Sequence, residues 1–293
     1  MPHRVQFDFE IEFSNGGGLS GRDFRLDIAG ESIDNAELAD YLVADLRLLM
    51  VGKVHIFNKR ILNEAHKRMP DGDVRRYVDL SHSIGNGTLT HRGMPGPLIC
   101  DFLSREDSRK FYAPGTEFQI AKIEMIANTG TYLDCPFHRF AHGYDMAQLA
   151  IDSCTDLDAI VVRVAPDMLA IDAEVFQGHA IAGRAVLVQT GWDRHWNTQA
   201  YFGVHPFLTE RAAQYLRDGG AKLLGIDAMN VDDTRGNARP VHTTLLGAGI
   251  LIVEHLCNLA AVPDQAFRFT ALPPKFEGVG TFPVRAIATL DRL

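Results

Sequence analysis

The sequence predicts an α/β protein whose main body contains more strands than helices. Seven short runs rich in β-branched residues recur after Tyr77, and most end at Gly, Asp or Thr, as strands commonly do. They cover residues 78–81, 122–127, 159–164, 185–189, 222–226, 250–253 and 284–289. One helix is clearly marked between them at residues 209–217, because Thr209 offers an N-terminal cap and Gly219 and Gly220 offer a stop.

Residues 1–75 differ in pattern from the rest of the chain. They predict a β-α-β-like accessory segment, made of a strand, a helix and a second strand. Residues 5–13 alternate apolar and polar side chains, which is typical of a half-buried strand, and a glycine run then breaks the pattern. Asp34 and Glu37 resemble a capping box ahead of an amphipathic helix over residues 36–50, and residues 53–57 form a second strand. Two roles are open for this segment, covering a sheet edge or a subunit interface. Residues 76–293 then form the main, catalytic domain.

Composition excludes several classes of protein. The 293 residues are 46% hydrophobic and carry a net charge of −8 without long runs of either sign, which argues against nucleic acid and against an anionic membrane surface. No apolar stretch approaches the ~18 residues of a membrane span, and the N-terminus lacks a secretory hydrophobic region, so a cytoplasmic location is expected. The four cysteines lack C-x-x-C spacing, which indicates neither a disulfide scaffold nor a zinc ribbon.

The most informative stretch is residues 128–138, where a carboxylate and an imidazole lie four residues apart around a proline. Pro136 cannot donate a backbone hydrogen bond and Gly130 tolerates unusual dihedral angles. The stretch therefore predicts a turn that presents Asp134 and His138 to a cavity. The alternative to a functional role is that Asp134 only accepts hydrogen bonds within its own turn.

This stretch resembles the H-x-G-T-H-x-D-x-P-x-H signature of the metal-dependent cyclase superfamily, which includes bacterial kynurenine formamidases and isatin hydrolases. The matching residues are Gly130, Thr131, Asp134, Pro136 and His138. Asn128 and Tyr132 stand where the family has its first and second histidine, which look like ligands of one metal. Weaker matches at residues 79–82, 225–227, 254–259 and 283–288 extend the resemblance over about 215 residues. The resemblance implies a swivelling β/β/α fold.

The residues themselves suggest a metal site. Glu254 ends an apolar run, where an unpaired carboxylate would be costly, and His242 follows Pro240 at the end of a polar loop. Mixed oxygen and imidazole donors suit zinc or manganese. The resemblance implies that Asp134, His242 and Glu254 bind metal, with Asp134 between two metals in dinuclear members. Because two family histidines are missing, we expect one divalent ion, zinc or manganese, with an open position for water, and His138 as general base and acid.

Further residues are expected to line the substrate pocket. Asn128 and Tyr132 offer an amide and a phenol as hydrogen-bond donors to an oxyanion, in place of metal charge. Phe137, Trp192 and His82 are further candidates, although such aromatic side chains usually belong to a core. Other readings are an ordinary loop histidine for His242 and a solvated strand end for Glu254. Asp227, Asp232 and Asp233 also cluster near a strand end, but no D-x-D-x-D-G loop supports calcium.

These observations predict a metal-dependent hydrolase of a small amide, lactam or lactone, similar to the arylformamidases of tryptophan catabolism. A small-molecule substrate and a homodimer or homotetramer are expected. Two alternatives are open: a degenerate, metal-free binding protein that keeps only the scaffold, and a metal-free lyase in which His138 works with Asp134 or Glu254 as an acid/base pair.

Overall fold

A computed structural model describes residues 3–28, 30–46, 48–62 and 76–290. The chain divides into two compact units, Met1–Asp73 and Val74–Leu293. The sequence predicts a polar connection over residues 58–76, but residues 58–62 belong to the last strand of the first unit, and residues 63–75 lie outside the described residues. Within the described ranges, no helix combines the length and the apolar character needed to cross a membrane.

The first unit is a three-stranded antiparallel sheet with one helix. Its elements are β1 (His3–Phe13), β2 (Gly18–Ile28), α1 (Asn35–Asp45) and β3 (Val51–Leu62), and the strand order is β2-β1-β3. Strand β2 was not predicted, because the glycine run that breaks β1 is the turn of a hairpin whose second strand is mostly exposed and buries only Leu26 and Ile28 near its end. The Asp34 cap is confirmed, since its side chain accepts from the Glu37 amide at 2.8 Å. The helix ends at Asp45 rather than near residue 50.

The second unit contains a nine-stranded mixed sheet and confirms the predicted sheet-rich α/β class. Its strands are β4 (Arg76–Asp79), β5 (Leu98–Leu103), β6 (Ile120–Glu124), β7 (Tyr132–Asp134), β8 (Leu157–Arg163), β9 (Ala170–Ile171), β10 (Ala185–Gln189), β11 (Phe207–Leu208), β12 (Leu223–Ile226), β13 (Leu251–Glu254), β14 (Phe267–Thr270), β15 (Thr281–Pro283) and β16 (Ile287–Leu290). Its helices are α2 (Arg105–Ser108), α3 (Glu210–Asp218) and α4 (Pro240–Gly247).

The large sheet has the order β15-β7-β13-β12-β10-β8-β14-β16-β4. The four central strands β8, β10, β12 and β13 are parallel, and antiparallel strands flank them on both sides. Alternate residues enter two separate cores: Leu187 lies in one, whereas Val186 and Val188 lie in the other beside α3 and α4. Burial on both faces explains why these strands read as continuous apolar runs.

Most predicted elements of this unit are confirmed, including the Thr209 cap of α3, whose hydroxyl accepts from the Ala212 amide. Three differences bear on the site. The strand predicted at 122–127 is β6, which pairs only with β5 in a separate two-stranded sheet. Of the C-terminal strand predicted at 284–289, residues 287–289 lie in β16, whereas residues 284–286 lie between β15 and β16. The supposed polar loop at His242 is the first turn of α4, which Pro240 begins.

Candidate metal centre

Strand β7 carries the informative motif into the large sheet. It lies between β13 and β15, and Asp134 is opposite Thr281 of β15 while Tyr132 is opposite Glu254 of β13. Because side chains alternate along a strand, Tyr132 and Asp134 share one face and Leu133 enters the core on the other. The cross-strand pairing therefore brings the carboxylates of Asp134 and Glu254 to the same face of the sheet.

His242 reaches these carboxylates from the first turn of α4. Asp232 orients it by accepting from the amides of Val241 and His242, at 2.8 and 3.1 Å, and from Nδ1 of the His242 ring at 2.6 Å. The other ring nitrogen, Nε2, lies 3.7 Å from Asp134 Oδ2 and 3.6 Å from Glu254 Oε1. One helix start thus aims an imidazole nitrogen between two buried carboxylates.

The negative charges around His242 favour a cation at this position. Burial works to lower the pKa of His242, yet its contacts with Asp134 and Asp232 and the charge of Glu254 outweigh burial and raise it to about 10. Burial also raises the pKa of Glu254. A proton on His242 thus compensates the carboxylates when no other cation is present. A divalent ion would displace that proton, since a metal binds the neutral ring.

His138 completes the group from the short 3₁₀ turn Pro136–His138 that follows β7. Its Nδ1 lies 3.9 Å from Asp134 Oδ1 and 2.7 Å from the hydroxyl of Thr281. That hydroxyl also donates to Asp134 Oδ1. The His138 side chain is 35% exposed, whereas those of Asp134 and His242 are 0% and 6% exposed. His138 is therefore the member of the group that solvent reaches most easily.

The donor set fits a divalent metal. Among the residues that the structure describes, Asp134, His138 and His242 form the group of potential ligands whose donor atoms lie within 4.8 Å of one another. Within the same part of the chain, Asp134 Oδ2 is buried and has no hydrogen-bond partner. An orphaned buried carboxylate oxygen is costly without a cation. Carboxylate and imidazole donors are ligands that zinc or manganese accepts.

Glu254 flanks this group. Its Oε1 accepts from the Val231 amide at 2.7 Å, and its Oε2 accepts from the Tyr132 hydroxyl at 2.6 Å. The residue is 1% exposed. The three predicted ligands, Asp134, His242 and Glu254, thus lie together around His242 Nε2.

The predicted pocket residues are more dispersed. Tyr132 is buried beside Glu254, and Asn128 interacts with its hydroxyl. Phe137 is half-buried against the first core, and Trp192 packs against the second, with its Nε1 donating to the Tyr201 carbonyl at 3.0 Å. His82 stacks on Trp196, with ring centroids 4.0 Å apart.

Sequence reasoning missed three residues that shape the site. Thr281 joins Asp134 to His138, and only the β7–β15 pairing reveals this contact. His91, in a loop without any motif, lies 2.9 Å from the Tyr132 hydroxyl. Asp232 was considered only as part of an acidic cluster. Its place nine residues before Val241, whose amide it caps, was the available signal.

Comparisons with known proteins identify the family. The family described as "Putative cyclase" matches residues 78–233. A kynurenine formamidase of Bacillus cytotoxicus is 30% identical over 168 residues, which cover 57% of this chain and 78% of that protein. A kynurenine formamidase of Bacillus thuringiensis subsp. konkukian is 26% identical over 218 residues, covering 72% of this chain and 96% of that protein.

Solved structures show the same fold. An isatin hydrolase bound to the product analogue thioisatinate superposes with a TM-score of 0.65 at 20% identity, over 74% of this chain and 93% of that one. Isatin hydrolase A from Labrenzia aggregata, bound to benzyl benzoate, gives a TM-score of 0.64 at 19% identity, over 74% and 94% of the two chains. The fold of the second unit is therefore shared with these enzymes.

Proposed function

The chain belongs to the cyclase family, and on that premise we propose that it is a metal-dependent hydrolase of a small amide, lactam or lactone. The observation that carries the proposal is the buried Asp134 Oδ2, which has no hydrogen-bond partner among the described residues and lies 3.7 Å from His242 Nε2. The names of the relatives, kynurenine formamidase and isatin hydrolase, support a carbonyl–nitrogen bond as the target. A role in tryptophan catabolism is part of the same proposal.

Asp134, His242 and Glu254 would hold one zinc or manganese ion. Such an ion, when bound, polarises a carbonyl and lowers the pKa of water from about 15.7 toward about 7. We assign His138 to acid/base chemistry rather than to the metal, because its side chain is 35% exposed while the other three are buried. A substrate entering from solvent meets His138 first.

The hydrogen bonds of Thr281 determine which nitrogen of His138 carries the proton. The hydroxyl has one hydrogen, and it goes to Asp134 Oδ1, since an ionised carboxylate only accepts. The hydroxyl oxygen must then accept from Nδ1 of His138, 2.7 Å away. Nε2 is left with its lone pair. His138 therefore takes a proton from water at Nε2 and returns it to the departing nitrogen or oxygen.

The substrate contacts are part of the proposal. The single hydroxyl hydrogen of Tyr132 is donated to Glu254, so Asn128 remains as the amide donor for a developing oxyanion. Phe137 and His82 are assigned to the wall of the pocket. Trp192 is assigned to support, since its indole N–H is already bonded to the Tyr201 carbonyl.

The test is hydrolysis of N-formylkynurenine and of isatin by the full chain, with and without added zinc or manganese. We expect turnover that chelation abolishes and metal restores, and a loss of at least 100-fold for His138→Gln. His242→Ala discriminates the metal-free lyase, because that reaction would survive the substitution. Absence of metal binding and of turnover in the wild type would support the metal-free binding protein instead.

A further inference from the structure

We infer that Tyr132 is a positioning residue for Glu254, and that two histidines, His91 and His255, hold its hydroxyl in place. The inference rests on the proposed function, because the orientation of Glu254 matters there as that of a metal ligand. It concerns one of the two positions at which this chain departs from the family motif, since Tyr132 stands in place of the second histidine.

The geometry converges on one oxygen atom. The Tyr132 hydroxyl lies 2.6 Å from Glu254 Oε2, 2.9 Å from His91 Nε2 and 3.3 Å from His255 Nε2. Tyr132 is 1% exposed and His255 is fully buried. The far side of the His255 ring is also held, since its Nδ1 lies 2.7 Å from the hydroxyl of Tyr201. Three elements, β7, β13 and the loop that carries His91, thus meet at this hydroxyl.

The hydrogens can be assigned from the partners. The Tyr132 hydrogen goes to Glu254, because an ionised carboxylate has no proton to give. The Tyr132 oxygen must then accept, and the imidazole N–H groups at Nε2 of His91 and His255 are its donors. His255 Nδ1 consequently accepts from Tyr201. The result is a directional series in which Tyr201 donates to His255, His255 donates to Tyr132, and Tyr132 donates to Glu254.

As a consequence, the two carboxylate oxygens of Glu254 have different partners. Oε2 accepts its main hydrogen bond from Tyr132, and the side-chain amide of Asn230 is a longer donor to it at 3.4 Å. Oε1 takes the Val231 amide and faces His242 Nε2 at 3.6 Å. Without the hydroxyl, a buried carboxylate oxygen would lose its main donor, and the carboxylate would rotate or take a proton. Glu254 would then present less negative charge to the metal.

The experiment is a calorimetric titration of zinc into the chelator-treated full chain. Tyr132→Phe removes the hydroxyl and keeps the ring, and we expect it to weaken zinc binding by about 10- to 100-fold, as loss of a ligand's hydrogen-bond partner typically does. His91→Leu should weaken binding by less, and His91→Gln, which keeps an N–H donor, should recover part of the loss. Tyr215→Phe is the matched control, because Tyr215 packs against the second core on α3.

A second readout separates positioning from a general loss of structure. Cobalt in place of zinc should give a visible spectrum that changes in Tyr132→Phe and is unchanged in Tyr215→Phe. Wild-type zinc affinity and a wild-type cobalt spectrum in Tyr132→Phe would overturn the inference. If that variant does not fold, wild-type affinity in His91→Leu would overturn it equally. A wild-type chain that binds neither zinc nor cobalt would instead contradict the proposed function.

Discussion

The hydroxyl of Thr281 lies 2.7 Å from Nδ1 of His138, and the same hydroxyl donates to Asp134. Thr281 is 3% exposed, so its hydroxyl is shielded from solvent. One small side chain on β15 therefore connects the proposed base to a proposed metal ligand and selects the tautomer of the base. A residue with this role should be intolerant of losing its oxygen.

Replacing Thr281 by Val should lower kcat by about 10- to 100-fold, because Nδ1 of His138 loses its acceptor and the ring can adopt the wrong tautomer. Thr281→Ser keeps the hydroxyl and should stay within a few-fold of the wild type. Steady-state hydrolysis of N-formylkynurenine at several pH values checks both variants. Equal rates for the Val and Ser variants would contradict the assigned role.

Asp232→Asn should weaken zinc binding by about 10- to 100-fold, since Asp232 orients His242. It should also destabilise the fold by about 1–3 kcal/mol, because three N–H groups now share a single amide oxygen. Asp233→Asn is the matched control, as that carboxylate pairs with Arg235 near the surface. Calorimetry and thermal unfolding measure the two effects. Similar zinc affinities in the two variants would rule out the orienting role.

Acid sensitivity should depend in part on His82. Burial lowers its pKa to about 4 from the ordinary value of 6.5. Below pH 6.5 His82 is protonated in the unfolded chain but stays neutral in the folded chain. The free energy of unfolding therefore falls between pH 6.5 and pH 4, and this contribution is constant below pH 4. His82→Phe can still stack on Trp196 and removes this titration. Urea unfolding at pH 7.5 and pH 5 should show a smaller stability loss for the variant than for the wild type, and an equal loss would refute the prediction.

The homodimer or homotetramer remains a prediction, and the β5–β6 sheet offers a surface for it. The exposed apolar residues of this sheet and of the segment between its strands, with their exposed fractions, are Leu98 (53%), Phe102 (76%), Phe111 (75%), Tyr112 (44%), Phe118 (52%), Ile120 (48%) and Ile123 (58%). A second copy of the chain is the partner we expect here.

Sedimentation velocity tests this surface. The wild type should sediment as a dimer or a larger assembly, and Phe102→Asp combined with Ile123→Asp should yield monomers. Val204→Asp, at a 54% exposed position outside this sheet, is the control and should leave the assembly intact. A monomeric wild type would contradict the prediction.

The fold was largely predictable where local pattern decides structure. The central strands are buried on both faces and read as apolar runs, and Thr209 ahead of α3 is a cap with a clear local signal. Strand β7 was missed because it has three residues and includes a tyrosine and an aspartate that serve the site. Helix α4 was missed because its cap, Asp232, lies far outside the usual window before the first turn.

The proposed metal ligands were predictable from the sequence, whereas the residues that hold the site residues in position were not. Asp134 and Glu254 stand at strand ends with a motif resemblance, so their residue types carried the signal. Thr281 and His91 act through strand register and loop conformation, which depend on tertiary pairing rather than on local sequence. Tyr132 illustrates both cases: its position in the motif was recognisable, whereas its bond to Glu254 required the β7–β13 pairing.

The most direct test is the metal content of the full chain purified without chelator, measured by elemental analysis beside His242→Ala. We predict close to one zinc or manganese ion per wild-type chain and a nearly empty variant, because His242 Nε2 lies between Asp134 and Glu254. A wild-type chain that holds no divalent metal, even after dialysis against zinc and manganese, would contradict the proposed metal centre.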